Sequence, residues 1–196
     1  MYHKNIVRTA ILAVAGGVVL WGAGEASLRL RDVDGNLRSP LTVMAQAAVL
    51  FFIATDCPIS NFYAPEVQGI CKDYGTKGVA CSLVYEDVQT DAGVVRKHMS
   101  DFQYRGFAGF IDVDRKVSTK VNATVTPEAV VLDRAGKVRY RGRINNFYAD
   151  LGKPRRQATV HDLRDALDAV LAGKTVAVPE THAVGCYIVS PDVLKK

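Results

Sequence analysis

The sequence predicts an α/β fold, a mixed sheet sandwiched between helices, on three observations. Residues 47–54 ("AAVLFFIA") and 79–85 are continuous apolar runs, the pattern of strands buried on both faces. Each is followed by a segment with helical spacing, so strands and helices alternate around a common core. Residues 129–132 and 138–143 flank an Ala-Gly turn and read as an antiparallel hairpin, which gives the sheet both strand directions. The resulting order is β-α-β-α-β-α-β-β-α.

The elements follow in order along the chain. His3, Lys4 and Arg8 precede the apolar stretch "TAILAVAGGVVLWGAG", and small residues stand at Gly24 and Ala26. Residues 1–26 therefore read as a secretory signal peptide cleaved after Ala26. An uncleaved membrane anchor is the alternative, although the run is short for a spanning helix. Either way the rest of the chain is expected in an oxidising space, periplasmic or secreted, where disulfides persist. Short strands are expected at 28–31 and 41–43, on either side of a turn at Asp34-Gly35. The run "DVDGN" (32–36) lacks the later acidic residues of a calcium loop and is read as that turn. After the first buried strand a helix is expected over 59–74, with Ile59, Tyr63, Val67, Ile70 and Tyr74 on one stripe and Gly75 as its stop. The strand 79–85 leads to a helix at 91–101, where Val94, Val95 and His98 come together. A short strand near 110–111 and a helix near 116–121 precede the hairpin. The loop from there to Gln157 is polar and read as exposed. The final helix lies in "ATVHDLRDALDAVLAGK", with Thr159 as N-cap, Asp162 three residues on, Leu163, Leu167, Val170 and Leu171 buried, and Gly173 at its end. One domain, 27–172, thus carries a C-terminal tail, 173–196.

A chain of 196 residues with 48% hydrophobic and 23% charged residues is an ordinary globular protein. Its net charge of +5 is spread out, apart from Arg139, Arg141, Arg143 and the pair Arg155-Arg156. Aromatic residues do not interleave with the basic ones, which excludes a nucleic-acid partner. The alternating arginines share one strand face and read as exposed surface or as a patch for an acidic partner.

Chemistry centres on four cysteines, at 57, 71, 81 and 186, which allow three complete pairings. They form no Cys-x-x-Cys and the histidines no His-x-x-x-His, so a zinc ribbon is excluded. Cys57 stands where a buried strand hands over to a helix opened by Pro58. Free N–H groups and the positive end of the helix dipole there favour a thiolate, which makes Cys57 a candidate nucleophile. Cys71 and Cys81 lie on elements patterned for burial; they read first as packed free cysteines and second as a disulfide of helix to strand. Cys186 lies in the tail beyond the last helix, where packing does not explain it. His182 would join Cys186 and Cys57 in a copper site of N/S type, against a plain reading as an exposed tail residue. His161 reads as surface, His98 as a packed helix residue, and Tyr148 in "NNFYAD" as part of an access rim.

The strand, Cys57-Pro58-Ile59-Ser60, a helix containing Pro65, Thr126-Pro127 before a hairpin, and a final helix together resemble the thioredoxin fold. More closely they resemble its redoxin branch, the alkyl hydroperoxide reductase/thiol-specific antioxidant (AhpC/TSA) family, over about residues 28–172. The resemblance implies a thioredoxin-like fold with an N-terminal hairpin and a C-terminal tail. It also implies a reactive Cys57 faced by a cis-proline, Pro127. Pro65, eight residues after Cys57, sets the register that puts Ser60 in place of the second cysteine of Cys-x-x-Cys. The peroxidase branch carries Thr or Ser three residues before its cysteine and an arginine near the proline position, where this chain has Ala54 and Pro127. The expectation is an exported thiol–disulfide oxidoreductase or peroxiredoxin-like antioxidant that needs no cofactor. Cys57 would attack a protein disulfide or a small peroxide, and Ser60 would hydrogen-bond the thiolate. Pro127 would present the backbone of Thr126 to the substrate, and an external thiol would serve as reductant. Glu128 beside Pro127 would contact the substrate and shuttle protons near Cys57, or else be a solvated carboxylate at a strand start. Ser60 leaves Cys57 without a local partner, so Cys186, made approachable by Gly185, is expected to resolve it. The rival reading is a copper carrier or a binding module for a redox partner. The oligomeric state is left open.

Overall fold

The computed structural model describes residues 28–87 and 90–188. The signal-peptide reading of residues 1–26 lies outside them. Two short strands, β1 (Leu30–Arg31) and β2 (Leu37–Arg38), form the N-terminal hairpin. The expected strand at 41–43 is absent. The Asp32 carboxylate accepts the amides of Asp34 (3.0 Å) and Asn36 (2.8 Å), so the turn closes at once and the return strand begins at Leu37.

The central sheet has the order β5-β4-β3-β7-β8: Ala108–Ile111, Val79–Tyr85, Ala47–Ile53, Glu128–Asp133 and Val138–Gly142. β3 runs parallel to β4 and antiparallel to β7, and β7 forms the hairpin with β8. Every residue of β3 is buried because each face meets a helical layer. Val49, Phe51 and Ile53 pack with Val67 and Ile70 of α2 (Ala64–Gly75) and with Leu163 and Leu167 of α5 (Asp162–Leu171). Ala48, Leu50 and Phe52 pack on the other side with Val117 and Val121 of α4 (Lys116–Val121). Each such side chain contributes about 1.5–3 kcal/mol by leaving water. A further helix, α3 (Ala92–Asp101), is N-capped by Asp91, whose carboxylate accepts from Gly93 and Val94, and it buries Val95 and His98 while Val94 stays exposed.

Several expectations need correction. The helix read over 59–74 is two helices, α1 (Pro58–Phe62) and α2, because Pro65 in the first turn of α2 has no N–H to continue α1. Gly75 is still helical, and the chain reverses at Gly78 instead. The first half of β4 is only partly covered, since β5 begins opposite Ser82. Thr159 does not cap α5: its hydroxyl accepts from Asn146 Nδ2 (2.9 Å), and His161 occupies the cap position without a side-chain bond. The loop after β8 is not wholly exposed, since Ile144, Asn145 and Asn146 are buried, and it contains a small hairpin, β9 (Tyr148–Asp150) with β10 (Lys153–Pro154). The arginine stripe is committed to ion pairs: Arg139 with Asp133 (3.5 Å), Arg141 with Glu180, and Arg143 with Asp162 (2.7 Å). Cys71 and Cys81 are not free packing residues; they form the disulfide, with Cα atoms 6.0 Å apart, that ties α2 to β4.

Candidate active site

β3 delivers Cys57 to the C-terminal edge of the sheet. The Cys57 amide turns back to the Ala54 carbonyl (3.4 Å), and its own carbonyl accepts from Asn61, which starts α1. Pro58 fills the first helical position, where its missing N–H costs nothing. Asn61 also braces the loop: Nδ2 donates to the Thr55 carbonyl (3.2 Å) and Oδ1 lies 2.8 Å from His98 Nε2. The other His98 nitrogen lies 3.0 Å from the Tyr85 hydroxyl, and burial holds the ring pKa down. Thus His98 is packed as expected, and it also anchors the segment that carries the cysteine.

Opposite Cys57 stands β6 (Val125–Thr126), followed by a cis Thr126–Pro127 peptide. The Cys57 thiol donates to the Thr126 carbonyl at 3.2 Å. Glu128 is 3% exposed, which excludes a solvated carboxylate at this strand start. Its Oε2 accepts the amides of Thr124 (2.7 Å) and Val125 (3.4 Å), with Arg141 3.9 Å from Oε1. Burial raises its pKa against the pull of those bonds and of Arg141. Its carboxylate is spent on shaping the β6 loop.

The tail reaches the same place. Thr181 N donates to the Arg141 carbonyl (3.1 Å), and its hydroxyl is shared with Tyr140 (2.7 Å) and the Arg143 amide (3.1 Å). This crossing needs Gly142, whose φ of +148° disfavours a side chain and whose Cβ would strike Thr181. Beyond it, β11 (Cys186–Tyr187) pairs antiparallel with β6, Cys186 opposite Thr126, and Ile188 N donates to the Thr124 carbonyl at 2.9 Å. Gly185 lies so close to Thr126 that any Cβ would overlap its carbonyl. The outcome is a 2.6 Å approach of Cys186 Sγ to Cys57 Sγ.

The two thiols are pushed in opposite directions. Burial works against a charge on Cys57, but the Cys186 thiol, the Ser60 amide and hydroxyl and the Cys186 amide together outweigh it, so its pKa falls below the ordinary value. Cys186 is pushed up to about 12 by burial, by donating its proton to Cys57 and by the nearby negative charge. The pair shares one readily lost proton, with the anion resting on Cys57. Ser60 is fully enclosed, and its hydroxyl, which has no other hydrogen-bond partner among the described residues, is left free to turn to the Cys57 thiolate.

Cys57, Ser60, Thr126, Pro127 and Cys186 therefore converge, while Glu128 supports them from behind. Tyr148 packs with Phe62, Tyr63 and Phe147, an aromatic cluster continuous with α1. His182 is exposed, and among the described residues no three His, Cys, Asp or Glu side chains gather as a metal site requires. The three-ligand set of His182, Cys186 and Cys57 is thus not assembled among the described residues. Asn61, Gly142 and Thr181 were missed; the glycine within "YRGRI" was the one readable signal for the tail crossing.

The sequence matches no protein-family model and no curated protein. Among solved structures it is similar to an uncharacterised conserved protein of Geobacillus kaustophilus, at 26% identity and a TM-score of 0.73, over 86% of this chain and 92% of that one. It is similar to a hypothetical protein of Sinorhizobium meliloti at 26% identity and a TM-score of 0.70, over 83% and 90% of the two chains. A secreted disulfide oxidoreductase of Mycobacterium tuberculosis, homologous to E. coli DsbE, aligns at 17% identity and a TM-score of 0.53, over 75% of this chain and 96% of that one. The fold is thioredoxin-like, a mixed central sheet flanked by helices.

Proposed function

We propose that this thioredoxin-like chain is an exported thiol–disulfide oxidoreductase whose redox pair is Cys57 and Cys186. The observation that carries the reading is the 2.6 Å separation of the two sulfurs, held by strand pairing between β11 and β6. A disulfide bond of about 2.05 Å asks for little further movement. The mycobacterial neighbour lends the fold; the sulfur geometry lends the chemistry. Cys57 is the nucleophile, Ser60 stabilises its thiolate, and Pro127 presents the backbone of Thr126 to the substrate. Cys186 takes the role that a second cysteine at position 60 would have. Thiol–disulfide exchange is preferred to peroxide reduction because Ala54 and Pro127 stand where the peroxidase branch has its oxygen-handling groups. The substrates are then protein thiols or disulfides, and an external thiol is the reductant. Residues 1–26 act as the export signal, and the tail is part of the working domain.

The test is thiol trapping with peptide mass mapping. Air-oxidised protein should yield one peptide linked Cys71–Cys81 and another linked Cys57–Cys186, and the protein should reduce insulin in the presence of dithiothreitol. A Cys186→Ser variant should lose that turnover and accumulate mixed disulfides on Cys57. Finding Cys186 alkylatable after full oxidation would reject the pair.

A further inference from the structure

The two sulfurs differ in access. Cys57 is 1% exposed, enclosed by α1, β6 and the tail. Cys186 belongs to an exposed strand whose next residue, Tyr187, is 75% exposed. With the tail seated, an incoming sulfur meets Cys186 first. We propose that partner thiols enter at Cys186: in the oxidised protein an external thiolate attacks Cys186 Sγ, the bond to Cys57 breaks, and Cys57 departs as the thiolate. The inference rests on the reading of Cys57 and Cys186 as a redox pair and gives that pair a direction.

The atoms and electrons balance in two steps. In the first, a bond forms between the partner sulfur and Cys186 as the Cys57–Cys186 bond breaks, and the electron pair of the broken bond stays on Cys57. In the second, the partner's other thiol loses its proton and attacks its own sulfur in the mixed disulfide, and Cys186 leaves and takes up a proton. Two electrons have passed from the partner dithiol, now a disulfide, to the protein, now a dithiol. Cys57 suits the leaving role because exchange is faster when the departing thiolate is stable. Around it the Ser60 amide and hydroxyl are in place to receive the charge. Cys186 suits the entry role because the bond from Ile188 to Thr124 keeps β11 on the surface after Cys57 is released. An exposed entry point also admits a reductant thiol carried on a folded protein while the tail stays seated.

The experiment uses the full chain, oxidised and first mapped to establish the Cys57–Cys186 link. Excess glutathione is then added, the reaction is stopped with acid during the first turnover, free thiols are capped with N-ethylmaleimide, and the peptides are mapped. Glutathione on Cys186 with maleimide on Cys57, at least tenfold over the reverse arrangement, is the expected result. Equal labelling, or glutathione chiefly on Cys57, would overturn the direction while leaving the pair intact. Absence of the link in the initial map would overturn the pair itself and the direction with it.

Discussion

Ser60 sets a hydroxyl beside the Cys57 sulfur, and its effect is electrostatic. Replacing it with Ala removes one of the groups that favour the Cys57 anion. The midpoint of Cys57 alkylation against pH should therefore move upward with the fold intact, and an unmoved midpoint would show that the hydroxyl is idle. Glu86, at the end of β4, is a residue of the opposite kind. Burial, and then the charge of Asp112, raise its pKa to about 8 from 4.5, against weaker opposition from Ser118 and Arg115. Between those values the unfolded chain gives up a proton that the folded chain keeps. Stability should fall as pH rises through that window and level off above it, by a few kcal/mol at most as an order of magnitude. In urea unfolding at pH 5.5 and 8, Glu86→Gln should lack that share of the loss. An identical slope in both proteins would place the proton elsewhere. Nothing in the sequence marks Glu86, because a carboxylate after a strand becomes unusual only once its surroundings are known.

Among the elements, β11 decides whether the site is open. Gly185→Ala should unseat it, since the added methyl overlaps the Thr126 carbonyl. In the reduced variant, iodoacetamide should label Cys57 at least tenfold faster than in the parent, and oxidation to the Cys57–Cys186 disulfide should slow. Unchanged rates would mean that the strand tolerates the side chain or does not cover the cysteine. The long elements were legible because burial imposes a period: the run 47–54 is β3 save its last residue, and residues 116–121 form α4. Two-residue strands carry no period, so β6 as the seat of the tail was hidden although Gly185 announced a close approach of the tail backbone. The helix after Cys57 was misread for a related reason. Its apolar stripe continues in register across Tyr63, and only the missing N–H of Pro65 divides it.

At the scale of the molecule, the Cys71–Cys81 bond fastens one helical layer to the sheet. Its cysteines are 10 residues apart, and removing it as Cys71→Ala/Cys81→Ala should cost roughly 2–3 kcal/mol in the entropic account of cross-links. The loss should appear as a lower urea midpoint with insulin reduction preserved; loss of activity would tie this bond to the site. The sequence offered the pairing only as a second choice, since helix and strand patterns report burial and not which side chains face each other. The two cysteine pairs also differ in the length of chain they span, 10 residues against 129. Closing the longer loop costs about 2 kcal/mol more in chain entropy. As the polypeptide emerges during synthesis or export, the short link can close while the thiol of Cys57 still waits for a partner not yet made. Cys186 is the last cysteine to appear. On the proposed pairing, a chain interrupted between residues 81 and 186 would carry the nucleophile without its partner, so the intramolecular disulfide waits until the polypeptide has been completed past residue 186.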